Sequence, residues 1–234
     1  RSGQTLTKRP PFPGGVTILS DIDMKSLLSI REDAPNSEPA DGALASLSEW
    51  LRDYAMSDHA ELGRSGTVCP FVKQASKLET LRVGINLSGP EDEDHVFSEI
   101  RTSFHDMEHI PAPPGKERLR TIAVGFPNCA SLAGIAMLER VYKRHKYYTL
   151  LRSRMIAFFH PDADIHGLWN EAFRPMRSPM PVLAVRYLVE QDAVFAAKHR
   201  LLRAPYLLRF GVAGARRLAD YHQRKAASRA DPGV

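Results

Sequence analysis

Met155–Tyr187, MIAFFHPDADIHGLWNEAFRPMRSPMPVLAVRY, is the stretch whose reading decides the fold. It opens on the apolar run Met155–Phe159 and closes on the apolar run Val182–Tyr187. Both are short and nearly continuous, the pattern of strands covered on two faces. Between them lie about twenty residues with His160, His166, Trp169, Asn170, Arg174, Arg177 and four prolines. A connection of that length, held at both ends by core strands, is expected to carry function.

Working outward, the hydrophobic spacing supplies the other elements. Leu132, Ile135, Leu138 and Val141 predict a long helix over 129–152, with Lys143, Arg144, His145 and Lys146 on its solvated flank. Residues 120–126 read as a strand before it. Leu81, Val83, Ile85 and Leu87 alternate with small or polar residues, the signature of a half-buried strand over 80–87 closed by Ser88-Gly89-Pro90. An acidic-capped helix follows over 92–107, with His95, His105 and His109 expected at the surface. Leu44, Leu47, Trp50, Leu51 and Tyr54 predict an amphipathic helix over 41–56 that packs on the core. Beyond Tyr187, residues 192–210 and 212–227 read as closing helices interrupted near Pro205 and Gly211. The expected architecture is one α+β domain over 42–227, a mixed sheet of about four strands covered by helices. Residues 1–41, rich in Pro, Gly, Ser and Asp, are expected to form an extended or partly disordered arm, and 228–234 a flexible tail.

Composition narrows the classes. The chain has 234 residues with 43% apolar content, enough to bury a full core. No apolar run reaches the roughly 20 residues of a membrane span, and the start lacks an apolar signal segment. A soluble, cytoplasmic protein with no membrane partner is the expectation. The net charge of +5 is uneven. From Lys198 onward nine Lys/Arg stand against Asp220 and Asp231, a net +7 that leaves −2 for residues 1–197. Without an aromatic-interleaved basic motif, that face reads as solvated and no nucleic acid is expected. Cys69 and Cys129 are too few for a disulfide framework or zinc cluster and read as reduced thiols. No GxGxxG, Walker or HExxH pattern is present, so neither flavin nor nicotinamide is indicated.

The chemistry therefore rests on single residues. His160 ends a strand and precedes Pro161, which fixes an imidazole at the mouth of the sheet, where open α/β sheets place ligands. It is also open to a packing role, as lone histidines usually are. His166 could join it on zinc or iron. Cys69-Pro70-Phe71 holds a cysteine in a rigid bend ahead of a short helix. That thiol reads equally as a buried apolar residue, a pocket wall, a soft metal ligand or a reactive group. Arg174, Arg177 and Arg186 suit carboxylate or phosphate, or pair with the loop's own acids. Ser178 lacks a nucleophile elbow.

The Cys-Pro-Phe turn after a first helix, the strand running into His160-Pro161, the proline-rich loop and the apolar strand ending near Arg186 together resemble the YqcI/YcgG-like family of small haem proteins, over roughly residues 43–210. The loop HPDADIHGLWNEAFRPMRSPMP is longer than that family's pattern, as in a side branch. The resemblance implies a haem-dependent oxygenase acting on a small amino-acid-like or other nitrogen-containing substrate in natural-product biosynthesis, with electrons from an external reductase. In that reading His160 is the proximal ligand of haem b, with Cys69 and His166 as the alternative metal ligands. Cys69, Pro70 and Phe71 line the haem edge, Arg177 or Arg186 binds the propionates, and Asn170, Trp169 and Arg177 shape the catalytic pocket. The competing expectations are a His160/His166 metal hydrolase or lyase and a non-catalytic domain that binds a small molecule or partner. A homodimer is left open.

Overall fold

A computed structural model describes residues 17–18, 39–198 and 200–230. The strands are β1 Thr17–Ile18, β2 Leu81–Ile85, β3 Thr121–Gly125, β4 Arg154–Phe159 and β5 Val182–Tyr187, in spatial order β1-β2-β3-β5-β4. Among the described residues there are six α-helices: α1 Pro39–Trp50, α2 Pro70–Lys77, α3 Glu93–Asp106, α4 Leu132–Leu151, α5 Ala193–Lys198 and α6 Arg200–Ala230. The α+β class and the mixed sheet agree with the sequence reading, with β1 as a two-residue antiparallel addition at the edge. The arm expected over 1–41 falls outside the described residues except for β1 and the first turn of α1.

β2 and β3 are parallel, and α3 lies in the connection between them, as parallel neighbours require. β5 enters antiparallel beside β3, and β4 takes the far edge antiparallel to β5. Side-chain alternation sorts the residues into two faces. Leu81, Val83, Ile85, Ala123 and Val182 pack with Leu44, Leu47, Leu51 and Ala75, so α1 and α2 cover one face. Ile122, Val124, Phe126, Ile156, Phe158, Leu183 and Val185 pack with Val96, Ile100, Phe104, Leu138 and Val141, so α3 and α4 cover the other. A third cluster joins Leu188 to Ala193, Ala196, Leu202 and Tyr206 of the closing helices.

Four expectations need correction. β2 is buried at every position, not half-buried, and it lies inside the sheet between β1 and β3. β4 is the strand that alternates between buried and half-buried, because it forms the edge. His145, expected on the solvated flank of α4, is only 1% exposed. Its ring lies 4.2 Å from that of Phe97 and 6.0 Å from that of Phe104, since α3 crosses this part of α4. Nδ1 bonds the Val141 carbonyl at 2.9 Å. His105 and His109 are exposed as expected, while His95 is half-buried.

Candidate functional site

α1 does not end at Trp50 but runs into a π-helical turn, Leu51–Ala55, closed by the Met56 N–H donating to the Leu51 carbonyl at 2.9 Å. Such turns are rare and recur at functional sites. This one stacks Trp50 on Tyr54 with ring centroids 6.0 Å apart, and both reach the 160–181 loop. Trp50 Nε1 donates to the Arg177 carbonyl at 3.0 Å, and the Tyr54 hydroxyl to the Arg174 carbonyl at 3.3 Å. Phe159 meets the Trp50 ring edge-on at 5.4 Å, while Phe173 lies against Tyr54 at 6.2 Å and His59 at 4.8 Å. The loop is thus fastened to the α1 side of the sheet by aromatic contacts and two side-chain hydrogen bonds.

An open groove of about 590 Å³ lies along this seam, lined on one side by Ser46, Glu49, Trp50 and Tyr54 and on the other by Phe173, Arg174 and Arg177. The two arginines differ in commitment. Arg174 Nε donates to Asp164 at 2.6 Å, and that bond holds the Asp164 carboxyl below its ordinary range. Arg177 is exposed and has no carboxylate partner among the described residues, its one hydrogen bond running from Nε to the Ala163 carbonyl at 3.3 Å. Burial raises the Tyr54 phenol above its ordinary pKa; the nearby Arg177 charge opposes this shift and Glu61 adds to it. Cation, phenol and aromatic wall therefore share one groove.

The other residues singled out in the sequence go elsewhere. Asn170 Nδ2 donates to the Glu61 carbonyl at 2.8 Å and its Oδ1 accepts from the Ala172 N–H at 2.9 Å, so it braces the loop. Trp169 packs against Gly63 and Tyr221 and does not line the groove. His166 is exposed, with Nδ1 bonded to the Glu171 carbonyl at 2.6 Å. Ser178 donates to the Met180 carbonyl at 2.6 Å, a turn contact.

The residues expected to surround a haem do not gather round one volume. Arg186 stacks over Phe71 at 4.8 Å, which places the Cys69-Pro70-Phe71 turn at the Arg186 end of β5. His160 follows Phe159, which pairs with Val182 at the opposite end, about 13 Å along the strand from Arg186 at the usual rise per residue. The faces differ as well: Arg186 alternates with Ala184 and Val182 on the α1 side, whereas the His160 ring lies on Phe158 at 5.1 Å, a residue of the α4 side. Nor is Arg186 available to a propionate, because Nη2 and Nη1 bind Asp192 at 2.6 and 2.8 Å. Cys69 caps α2 and its N–H donates to the Ala55 carbonyl at 2.8 Å. His160 keeps a feature suited to a ligand, an enclosed Nδ1 with no partner among the described residues. Among those residues, no three His, Cys, Asp or Glu side chains come together as a metal group.

A family model described as "Domain of unknown function (DUF6875)" matches residues 44–221, most of the chain. The chain belongs to this family. The matched span of this DUF6875 protein begins within α1 and ends on α6, so it takes in strands β2 to β5, the groove and the 160–181 loop. No curated protein and no solved structure matches it.

Trp50 and Tyr54 are the site residues that the sequence pattern did not separate from the core. Their spacing of four reads as one apolar helix face. The π-turn, which the pattern does not announce, turns that face into a groove wall.

Proposed function

We propose that this DUF6875 domain binds a small organic anion with a flat apolar body in the groove between α1 and the 160–181 loop. The observation that carries the reading is Arg177, a cation without a carboxylate partner among the described residues, beside Trp50, Tyr54 and Phe173. Aromatic walls with a few convergent polar groups are the usual composition of a small-molecule site. A guanidinium offers a planar two-point contact to carboxylate or phosphate that lysine does not. The groove is open to solvent, so the ligand keeps one edge in water and binding relies on the aromatic contact plus one charge-assisted hydrogen bond. Titration of the full chain with aromatic carboxylates and aryl phosphates, followed by tryptophan fluorescence and calorimetry, tests the reading. Saturable binding lost in Arg177→Ala supports it; no binding across both series, or binding that Arg177→Ala leaves intact, refutes it.

A second reading, haem-dependent oxygenation with an external reductase, rests on the resemblance and on the enclosed, unpartnered Nδ1 of His160. Haem would supply oxidising chemistry when bound. From the expected donors it would take His160 alone, since Cys69, Phe71 and Arg186 sit at the other end of the sheet. Purified protein with a Soret band that shifts in His160→Ala supports this reading, and protein that stays colourless with added haemin ends it.

A further inference from the structure

α6 is packed on one side and exposed on the other. Leu202, Tyr206 and Leu218 are buried against the domain. Leu201 and Leu208 point away from it, 66% and 88% exposed, and Val212 just beyond is 69% exposed. Leu201 and Leu208 are seven apart, which in a helix puts them on one face. Arg200 and Arg209 lie next to them in sequence, about 100° to either side of the leucines on the helix wheel. Both arginines are exposed, as are Arg203, Arg216 and Arg224. Over the helix, eight Lys/Arg face the single acid Asp220. The non-helical Gly211, with φ 51°, breaks the rod just before Val212.

We infer that this stripe docks the protein on an anionic lipid surface. A strongly basic helix with an exposed apolar row between arginines is the pattern of helices that lie in a membrane interface. The apolar side chains enter the headgroup boundary while the flanking guanidiniums meet lipid phosphates and carboxylates. Charge decides between occupants. A second copy of the chain would set one arginine-rich face against another, with like charges opposed across the contact. A nucleic acid would draw the arginines but would leave Leu201 and Leu208 against a charged backbone. A bilayer accepts both features and needs no shaped groove. No helix among the described residues is long and apolar enough to cross a membrane, so the contact is one of lying on the surface. This departs from the sequence expectation of no membrane partner.

The experiment is co-sedimentation of the full chain with phosphatidylcholine vesicles, with and without phosphatidylserine, at low and high salt. Binding is expected only with phosphatidylserine and is expected to fall with salt. The double variant Leu201→Ser/Leu208→Ser is expected to weaken it by at least about tenfold, because it removes two apolar side chains from the interface. Circular dichroism melting checks that this variant stays folded. Should it not fold, Arg200→Ala/Arg209→Ala replaces it and is expected to weaken binding and its salt dependence. Absence of sedimentation overturns the inference, as does equal binding to neutral vesicles. So does a concentration-dependent dimer abolished by the leucine variant, which would assign the stripe to a second copy. Binding to duplex DNA without binding to vesicles overturns it equally.

Discussion

Arg186 and Asp192 are locked in a two-point ion pair, Nη2 to Oδ1 at 2.6 Å and Nη1 to Oδ2 at 2.8 Å, with the Asp192 side chain only 3% exposed. Asp192 also accepts the Val189 N–H at 2.8 Å. One carboxylate thus ties the end of β5 to the start of the closing helices. Burial works against the Arg186 charge, but the Asp192 carboxylate more than offsets it and leaves the guanidinium above its ordinary pKa.

Removing one partner strands the other. Asp192→Ala is expected to cost about 3–5 kcal/mol of stability, the usual cost of leaving a buried charge unpaired. The double variant Arg186→Met/Asp192→Leu is expected to recover much of that loss, because no charge is left uncompensated. Urea unfolding of the three proteins measures both; a single variant as stable as the parent would mean that the pair is solvated.

Arg177 presents the opposite case, an exposed side chain with one weak backbone hydrogen bond among the described residues. Arg177→Ala is expected to leave the urea midpoint within about 0.5 kcal/mol of the parent, as surface substitutions do. Affinity for an aromatic carboxylate is expected to fall by roughly tenfold to a hundredfold, the worth of a hydrogen bond to a charged group. Calorimetry beside denaturation separates the two effects. A large stability loss would make Arg177 a structural brace.

Gly63 supports the loop from below. Its φ is +71°, and a Cβ there would lie 2.9 Å from Trp169 Cβ and 3.0 Å from the Trp169 carbonyl. Gly63→Ala is expected to cost about 1–3 kcal/mol, part from the left-handed backbone and part from displacing Trp169. Trp169 emission should shift with it, read in a Trp50→Phe background. A melting temperature and spectrum unchanged from that background would show that the loop moves aside freely.

The sequence pattern made the sheet legible because apolar runs such as Val182–Tyr187 name strands whatever their neighbours. Their burial was not legible. Leu81, Val83, Ile85 and Leu87 alternate, yet β2 is buried at every position, Arg82 and Gly84 included. Whether a strand lies central or at an edge depends on the pairing order β1-β2-β3-β5-β4, which no local pattern carries. The same holds for the site. His160 and Cys69 each look reactive alone, and only the antiparallel register of β4 and β5 puts them at opposite ends. The loop's importance could be read from its length, whereas its partner wall, Trp50 and Tyr54, depends on the π-turn.

His145 gives the sharpest pH test. Burial holds its imidazole below the ordinary pKa, the Val141 carbonyl contact opposes that shift, and the neighbouring Arg101 and Arg144 charges add to it. Arg144 also sits 4.0 Å over the Phe97 ring that packs on His145. In the unfolded chain the ring protonates near its ordinary value of about 6.5, while in the folded chain it stays neutral to a lower pH. Between those two values the unfolded state holds more protons, so stability rises with pH there. The contribution is complete above about 6.5 and is lost as the pH falls from there through the folded value. His145→Leu keeps the site apolar and removes the titration. Wild type is therefore expected to lose more stability than His145→Leu on acidification from about pH 7.5 to about pH 5.5, a window that brackets the unfolded pKa. Urea midpoints at several pH values read this directly. Parallel curves for the two proteins would mean that the His145 ring takes up its proton equally in both states.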